Sequence, residues 1–195
     1  MVLLKPQWRS WLVRGGFIIT GYAGVLAVHL GASLLGRADI TPVLGWIGGP
    51  LAAMTAVYTA YLFAQARARD LWQSPLLPGH LLIQALVAGA AVLMLITNGS
   101  VPDSLVVCFR LSLATHLLLV LGEASMRHPT AHGTLAARAM IRGEYAHFFW
   151  IAVPLGVLGF IFAVSTPVIA AGATLVSLLF YEHAFVQAGQ SVPLA

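Results

Sequence analysis

One apolar stretch of this chain, residues 101–126, carries Asp103, Arg110, His116 and Glu123. Carboxyl and imidazole groups strung along a single hydrophobic helix beside a fixed cation are suited to holding and passing protons. Asp103 and Arg110 are seven positions apart and share a face, about 10 Å apart along a helix axis. His116 and Glu123 have the same spacing and share a second face, rotated by roughly a third of a turn. Arg110 is the sharpest feature, because even mild insertion scales charge about 2.5–3.5 kcal/mol for an arginine at a helix centre. It requires a carboxylate, backbone carbonyls or a wet cavity. Glu182, between Tyr181 and His183 in the last apolar stretch, is placed to meet Arg110, His116 or Glu123. Tyr58 shares a face with Gln65, and His29 shares one with Tyr22. Each has a plainer reading. Arg110 with an acid is also a structural ion pair, Glu123 a solvated interfacial group, and Tyr58 a packing or belt tyrosine. His29 and His183 read equally as satisfied residues near span ends, and His80 and His147 as structural residues at span starts.

The elements that must position these groups are six apolar stretches, at residues 11–35, 42–64, 76–97, 101–126, 146–164 and 167–187. Each has about 20 apolar-dominated residues, enough for a hydrocarbon core of about 30 Å. Charged residues are 8% and hydrophobic residues 59% of the chain, whereas a soluble domain carries about 25% charged residues. The expectation is an all-α, polytopic membrane helical bundle of six transmembrane helices, residues 1–195 forming a single integral membrane domain. Pro154 should kink the fifth stretch unless neighbours compensate, and Pro167 suits a first helical turn.

Basic residues set the expected orientation. Lys5, Arg9, Arg14, Arg67, Arg69, Arg127, Arg138 and Arg142 fall on one side and Arg37 on the other, so both termini should be cytoplasmic. The connections at 36–41, 98–100 and 165–166 then face outward. Trp8, Trp11, Trp46, Trp72 and Trp150 all fall near span ends, where an aromatic belt belongs. The longest connection, 127–145, is either a short basic interfacial helix over 135–142 or a solvated linker. Because the basic residues flank apolar helices, the net charge of +4 reflects topology and not nucleic-acid binding. The polar, basic start running into a long apolar stretch is not expected to act as a cleavable signal peptide.

Other chemistries are excluded by pattern. A lone cysteine, Cys108, supports no disulfide framework, no CxxC metal site and no iron–sulfur cluster housed here. There is no HExxH, P-loop, GxSxG or dinucleotide glycine pattern. A haem would need two histidines at matched depth, for which His116 and His183 are the available pair.

Several segments carry a resemblance. Residues 58–66, YTAYLFAQA, followed by 69–78, RDLWQSPLLP, resemble the tyrosine-containing helix and the W-x-S-P-L-L-P loop of the NrfD/polysulfide reductase (PsrC-like) membrane-anchor family. Residues 8–15, WRSWLVRG, resemble the start of that family's third helix. Glu182 with 188–193, AGQSVP, is similar to its last helix and ending. The resemblance implies a quinone-interacting anchor of a respiratory oxidoreductase in a bacterial or archaeal cytoplasmic membrane, without haem or iron–sulfur cluster of its own. Its implied partners are an iron–sulfur subunit and a molybdopterin- or haem-containing catalytic subunit, and its implied cofactor is menaquinone or ubiquinone.

Tyr58 and His29 then become candidates for the quinone or proton pathway, and Arg110, His116, Glu123 and Glu182 for a proton route. Arg37, Asp39 and Asp103 are the expected partner contact. Family members usually have eight or more spans, and this chain corresponds from the third onward. Either a second membrane chain supplies the first pair or the chain is a truncated or divergent member. A small proton-coupled transporter and a structural assembly subunit are the competing readings.

Overall fold

The structure, a computed structural model, describes residues 7–97 and 101–193. Lys5 and the expected turn at Asn98–Ser100 lie outside the described residues. The described residues form seven α-helices and no strand: α1 (Trp11–Leu34), α2 (Thr41–Ala64), α3 (Leu77–Ile96), α4 (Asp103–Ser125), α5 (Ala131–Ile141), α6 (Ala146–Phe162) and α7 (Pro167–Ser191). A 3-10 turn, Asp70–Gln73, precedes α3. Helices are what a chain this apolar must form, because lipid offers backbone groups no hydrogen-bonding partner. Prolines sit in the first turns of α2, α3 and α7, where their missing N–H costs nothing. At the end of α1, Gly36 takes a positive φ of 69°. The Arg37 N–H reaches back to the Ala32 carbonyl at 2.8 Å, closing the helix in the manner that favours glycine there.

Five helices are long and apolar enough to cross a membrane: α1, α2, α3, α4 and α7. The expected fifth span appears as α6, which has 17 residues and meets the length test only together with α5. That pair is bent by 66° at its break, so the number of candidate spans is five, or up to six. The connection read as either helix or linker contains α5, capped by the Thr130 hydroxyl, which accepts from the Gly133 N–H at 3.0 Å. Pro154 does not break α6. The Ser177 hydroxyl of α7 donates to the Ala152 carbonyl at 2.6 Å, two positions before the proline, so the neighbouring helix supports the backbone there.

The chain divides after Ala66 into two compact units. The first holds α1 and α2, packed as an antiparallel pair. Trp11 stacks on Tyr61 with ring centroids 4.3 Å apart, and any Cβ at Gly15 would strike the Tyr58 ring. Most apolar side chains of this pair point outward, with Trp46 84% and Leu34 79% exposed, as a lipid-facing surface requires.

In the second unit α7 is the central element, packed against α3, α5 and α6, while α4 lies against α3 and α6. Gly156 and Gly159 of α6 bring its backbone close to Ser177 and Thr174 of α7, a small-residue contact typical of membrane helix pairs. Val87, Met94, Phe109, Leu113 and Ala171 form the apolar core.

Two expectations about this unit need correction. Trp72 is not a belt residue. It is buried and packs its indole on Gly189, where no Cβ would fit. The last helix does not stop at residue 187 but runs to Ser191. The reason is Arg69, whose Nη1 donates to the carbonyls of Gly189, Gln190 and Val192 at 3.1, 2.7 and 2.9 Å. Those are unsatisfied end carbonyls of α7, and a cation is favoured at that pole of a helix. Arg69→Ala should therefore lower the stability of the detergent-solubilised chain by about 1.5–3 kcal/mol, the usual worth of charge-assisted hydrogen bonds. Thermal unfolding checks this, and an unchanged midpoint would show that the cap contributes nothing.

Candidate functional site

The first turn of α3 carries His80, and one turn later comes Gln84, both buried. Facing them, α4 presents His116 and Glu123, and α7 presents Tyr181, so three helices converge on one polar cluster. Exposures are 1% for His80, 1% for His116, 2% for Tyr181 and 9% for Glu123. His80 uses both ring nitrogens. Its Nδ1 lies 3.2 Å from Glu123 Oε2, and its Nε2 lies 3.0 Å from His116 Nδ1. The Tyr181 hydroxyl donates to the same Glu123 Oε2 at 3.1 Å. The rings of His80, His116 and Tyr181 pack mutually, with centroids 5.0–5.4 Å apart.

With Glu123 as carboxylate, one assignment satisfies every bond. Tyr181 O–H and His80 Nδ1–H donate to Oε2, and His116 Nδ1–H donates to His80 Nε2. The other carboxyl oxygen, Oε1, is buried without a hydrogen-bond partner. Glu123 also lines a cavity of about 270 Å³, together with Asp70, Ser74, Arg127, His128 and Thr130. The cluster is thus a continuous run of exchangeable protons, from His116 to a carboxyl group at the wall of a cavity between the 70–75 and 126–133 loops.

Of the expected site residues in this unit, His116 and Glu123 come together, on the shared face their spacing requires, and Glu123 is buried rather than solvated. His80, read as structural at a span start, is instead the link between them. Glu182 is half-buried, and its carboxyl engages the Gln84 side chain. Among the described residues no hydrogen bond joins it to Arg110, His116 or Glu123. One step along a helix turns a side chain by about 100°, and this puts Tyr181 in the position expected of Glu182.

Arg110 has no carboxylate partner among the described residues. Its guanidinium lies over the Phe160 ring of α6, 4.5 Å from the centroid, and its Nε is buried without a hydrogen bond. The π face supplies electrostatic support of a kind not among the carboxylate, carbonyls or wet cavity expected for it. Asp103 is exposed in the first turn of α4, where a carboxylate is favoured by the helix dipole. His183 packs on Phe148 at 4.4 Å while His116 pairs with His80, so the two histidines considered for a haem do not meet. Among the described residues no group of three or more His, Cys, Asp or Glu could hold a metal ion.

In the first unit Tyr58 lines an apolar cavity of about 310 Å³ with Trp11, Ile18, Met54, Val57 and Tyr61. His29 and Tyr22 share a separate cavity of about 240 Å³ against Gly45 and Gly48. Arg37 and Asp39 form an exposed bidentate pair in the α1–α2 turn, with both contacts at 2.9 Å. The guanidinium's hydrogen bonds hold the Asp39 carboxyl below its ordinary range.

The family model for polysulphide reductase, NrfD, matches residues 1–193. The chain belongs to the NrfD family. No curated protein and no solved structure matches it. Two of the segments that carry the NrfD resemblance, the loop holding Arg69 and Trp72 and the chain from Ala188 to Pro193, are the same two that pack together at the end of α7. His80 and Tyr181 escaped sequence reasoning. The available signal was a histidine and a glutamine one turn apart on the otherwise apolar α3.

Because His80 bonds two neighbours at once, His80→Phe strands His116 Nδ1 and also leaves the Glu123 carboxylate with Tyr181 as its remaining donor. Each buried polar group so stranded costs about 1–3 kcal/mol. His116→Phe strands only His80 Nε2. Thermal unfolding should therefore rank His80→Phe as clearly the more damaging of the two, and equal losses would contradict the linking role.

Proposed function

We propose that this chain is the quinone-interacting membrane anchor of a polysulphide-reductase-type respiratory complex, passing electrons between the quinone pool and an iron–sulfur partner subunit. Membership of the NrfD family supports the type of complex, and a molybdopterin- or haem-containing catalytic subunit belongs to the same reading. The bias of basic residues supports a six-span topology with both termini cytoplasmic, in which α6, about 25 Å long at 1.5 Å per residue, is the fifth span and α7 the sixth. The observation that carries the proton-handling half of the proposal is the buried run His116–His80–Glu123–Tyr181, ending at an unpartnered carboxyl oxygen beside a cavity.

Quinone chemistry couples two electrons to two protons, so the anchor has to move protons through an apolar medium. A proton arriving at His116 sends the His116 Nδ1 proton to His80 Nε2 and the His80 Nδ1 proton to Glu123 Oε2. The carboxylate is thereby neutralised. A half-turn of the carboxyl then presents its O–H to the cavity, and uptake follows the same steps in reverse. Tyr181 holds the carboxyl in register by donating to whichever oxygen lies opposite. In the first unit, the apolar cavity at Tyr58 suits a flat, largely hydrophobic head group, with the Tyr58 ring as part of its wall. Arg110, Glu182 and His29 belong to the same reading as polar groups flanking these paths, and Arg37, Asp39 and Asp103 as contacts for the partner subunit.

Glu123→Gln keeps the shape and hydrogen-bonding capacity of the side chain but removes the proton it exchanges. In the complex purified from its native membrane, this variant should retain its subunits, iron and quinone while quinol-linked turnover falls at least about 100-fold, within the range that positioned acid–base groups contribute. Wild-type turnover in Glu123→Gln would remove the network from the reaction. A purified homo-oligomer carrying neither iron nor quinone would remove the anchor assignment itself. Tyr58→Ala, which removes an aromatic ring from the cavity wall, should raise the KM for quinone roughly 2- to 10-fold. An unaltered KM would move quinone binding away from that cavity.

A further inference from the structure

A second polar site lies outside the buried network. Between the C-terminal end of α4 and α5 is an open cavity of about 790 Å³ lined by Arg127, His128, Thr134, Arg138, Ile141 and Arg142. Its size is within the range of about 300–1,000 Å³ usual for small-molecule sites. Arg138 and Arg142 are four positions apart and share a helical face. Arg127 approaches from the α4–α5 connection. All three are exposed, and among the described residues none is paired with a carboxylate. Three guanidinium groups gathered around one cavity repel one another unless an anion joins them, and their planar forks match phosphate oxygens.

The surroundings identify the kind of anion. The opposite face of α5, with Gly133, Ala136 and Met140, is buried in packing that includes α7. The helix therefore holds its arginines in place as a fixed rim. Trp150, 52% exposed, donates from Nε1 to the carbonyl of Ile141, a cavity residue, at 2.9 Å. An exposed tryptophan with its N–H bonded at the rim marks the depth of the membrane–water interface. Met126, in the cavity wall, is 55% exposed, and Leu135 on α5 is 51% exposed. A cationic pocket edged by apolar side chains at that depth is suited to a lipid whose phosphate enters while its chains remain outside.

We propose that this cavity binds the phosphate of an anionic phospholipid through Arg127, Arg138 and Arg142. The site is separate from the quinone and proton assignments and stands without them.

The test uses the complex purified with the full chain, washed free of loosely held lipid and titrated with short-chain phosphatidylglycerol, with bound lipid counted by native mass spectrometry. The wild type should bind phosphatidylglycerol and not phosphatidylcholine. The triple variant Arg127→Gln, Arg138→Gln, Arg142→Gln should bind it roughly 100-fold more weakly, at about fivefold per arginine. The single variant Arg138→Gln, which spares most of the surface, should lose about fivefold. Millimolar inorganic phosphate should leave the bound lipid in place. Equal binding by wild type and variants would overturn the proposal. Displacement of the lipid by inorganic phosphate would reassign the cavity to a free anion. Loss of a protein subunit from the triple variant with lipid binding unchanged would reassign it to a protein contact.

Discussion

A carboxyl group inside a layer of lipid-facing helices has to be hydrogen-bonded, and much of the second unit follows from how Glu123 meets that condition. Taking an ionisable group out of water costs several kcal/mol unless neighbours replace the lost solvent. Those neighbours come from α3 and α7, which brings three helices to one point. His80 then needs a partner for its second nitrogen, and His116 supplies it one face-repeat before Glu123 on α4. The helices are polar where they touch and apolar where they face outward, with Leu118 72% and Leu179 65% exposed on the outer surface. In such a medium apolar burial does little to hold helices together, and small-residue contacts such as Gly159 on Thr174, together with interhelical hydrogen bonds, do more.

Apolar run length made the helices legible in the sequence, because a stretch of about 20 such residues has few alternatives. Helical periodicity likewise made the pairing of His116 with Glu123 on one face of α4 legible. What could not be read was anything that depends on which helix stands opposite. That Tyr181 and not Glu182 meets Glu123 is decided by the rotation of α7 about its own axis, and composition does not encode that angle. Arg110 was expected to find a carboxylate, backbone carbonyls or a wet cavity and lies over the Phe160 face, since an aromatic ring is indistinguishable in sequence from ordinary apolar packing. His80 looked peripheral because its position near the start of α3 says nothing of the α4 and α7 side chains that cover it.

The basic residues illustrate the same limit. Counted together they read as an orientation signal, and that reading treats them as equivalent. In the structure they do different things. Arg69 closes the end of α7, Arg37 pairs with Asp39 in the α1–α2 turn, Arg110 rests on an aromatic ring, and Arg127, Arg138 and Arg142 surround one cavity. A charge that helps set topology is therefore free to carry a second role, and only its neighbours reveal which.

The Arg69 cap has a consequence for how the chain is made. Its nearest acceptor lies 120 residues downstream and its farthest 123. At about 5–20 residues per second, roughly 6–24 s of synthesis separate the arginine from the carbonyls it will bind. Through that interval the loop bearing Trp72 is without the helix end it packs on, and α3 to α6 have been made while their central partner is still absent. Closure of the second unit thus waits until α7 has been made. A chain released before Gly189 leaves a cation and an indole without the helix end that covers them in the folded unit.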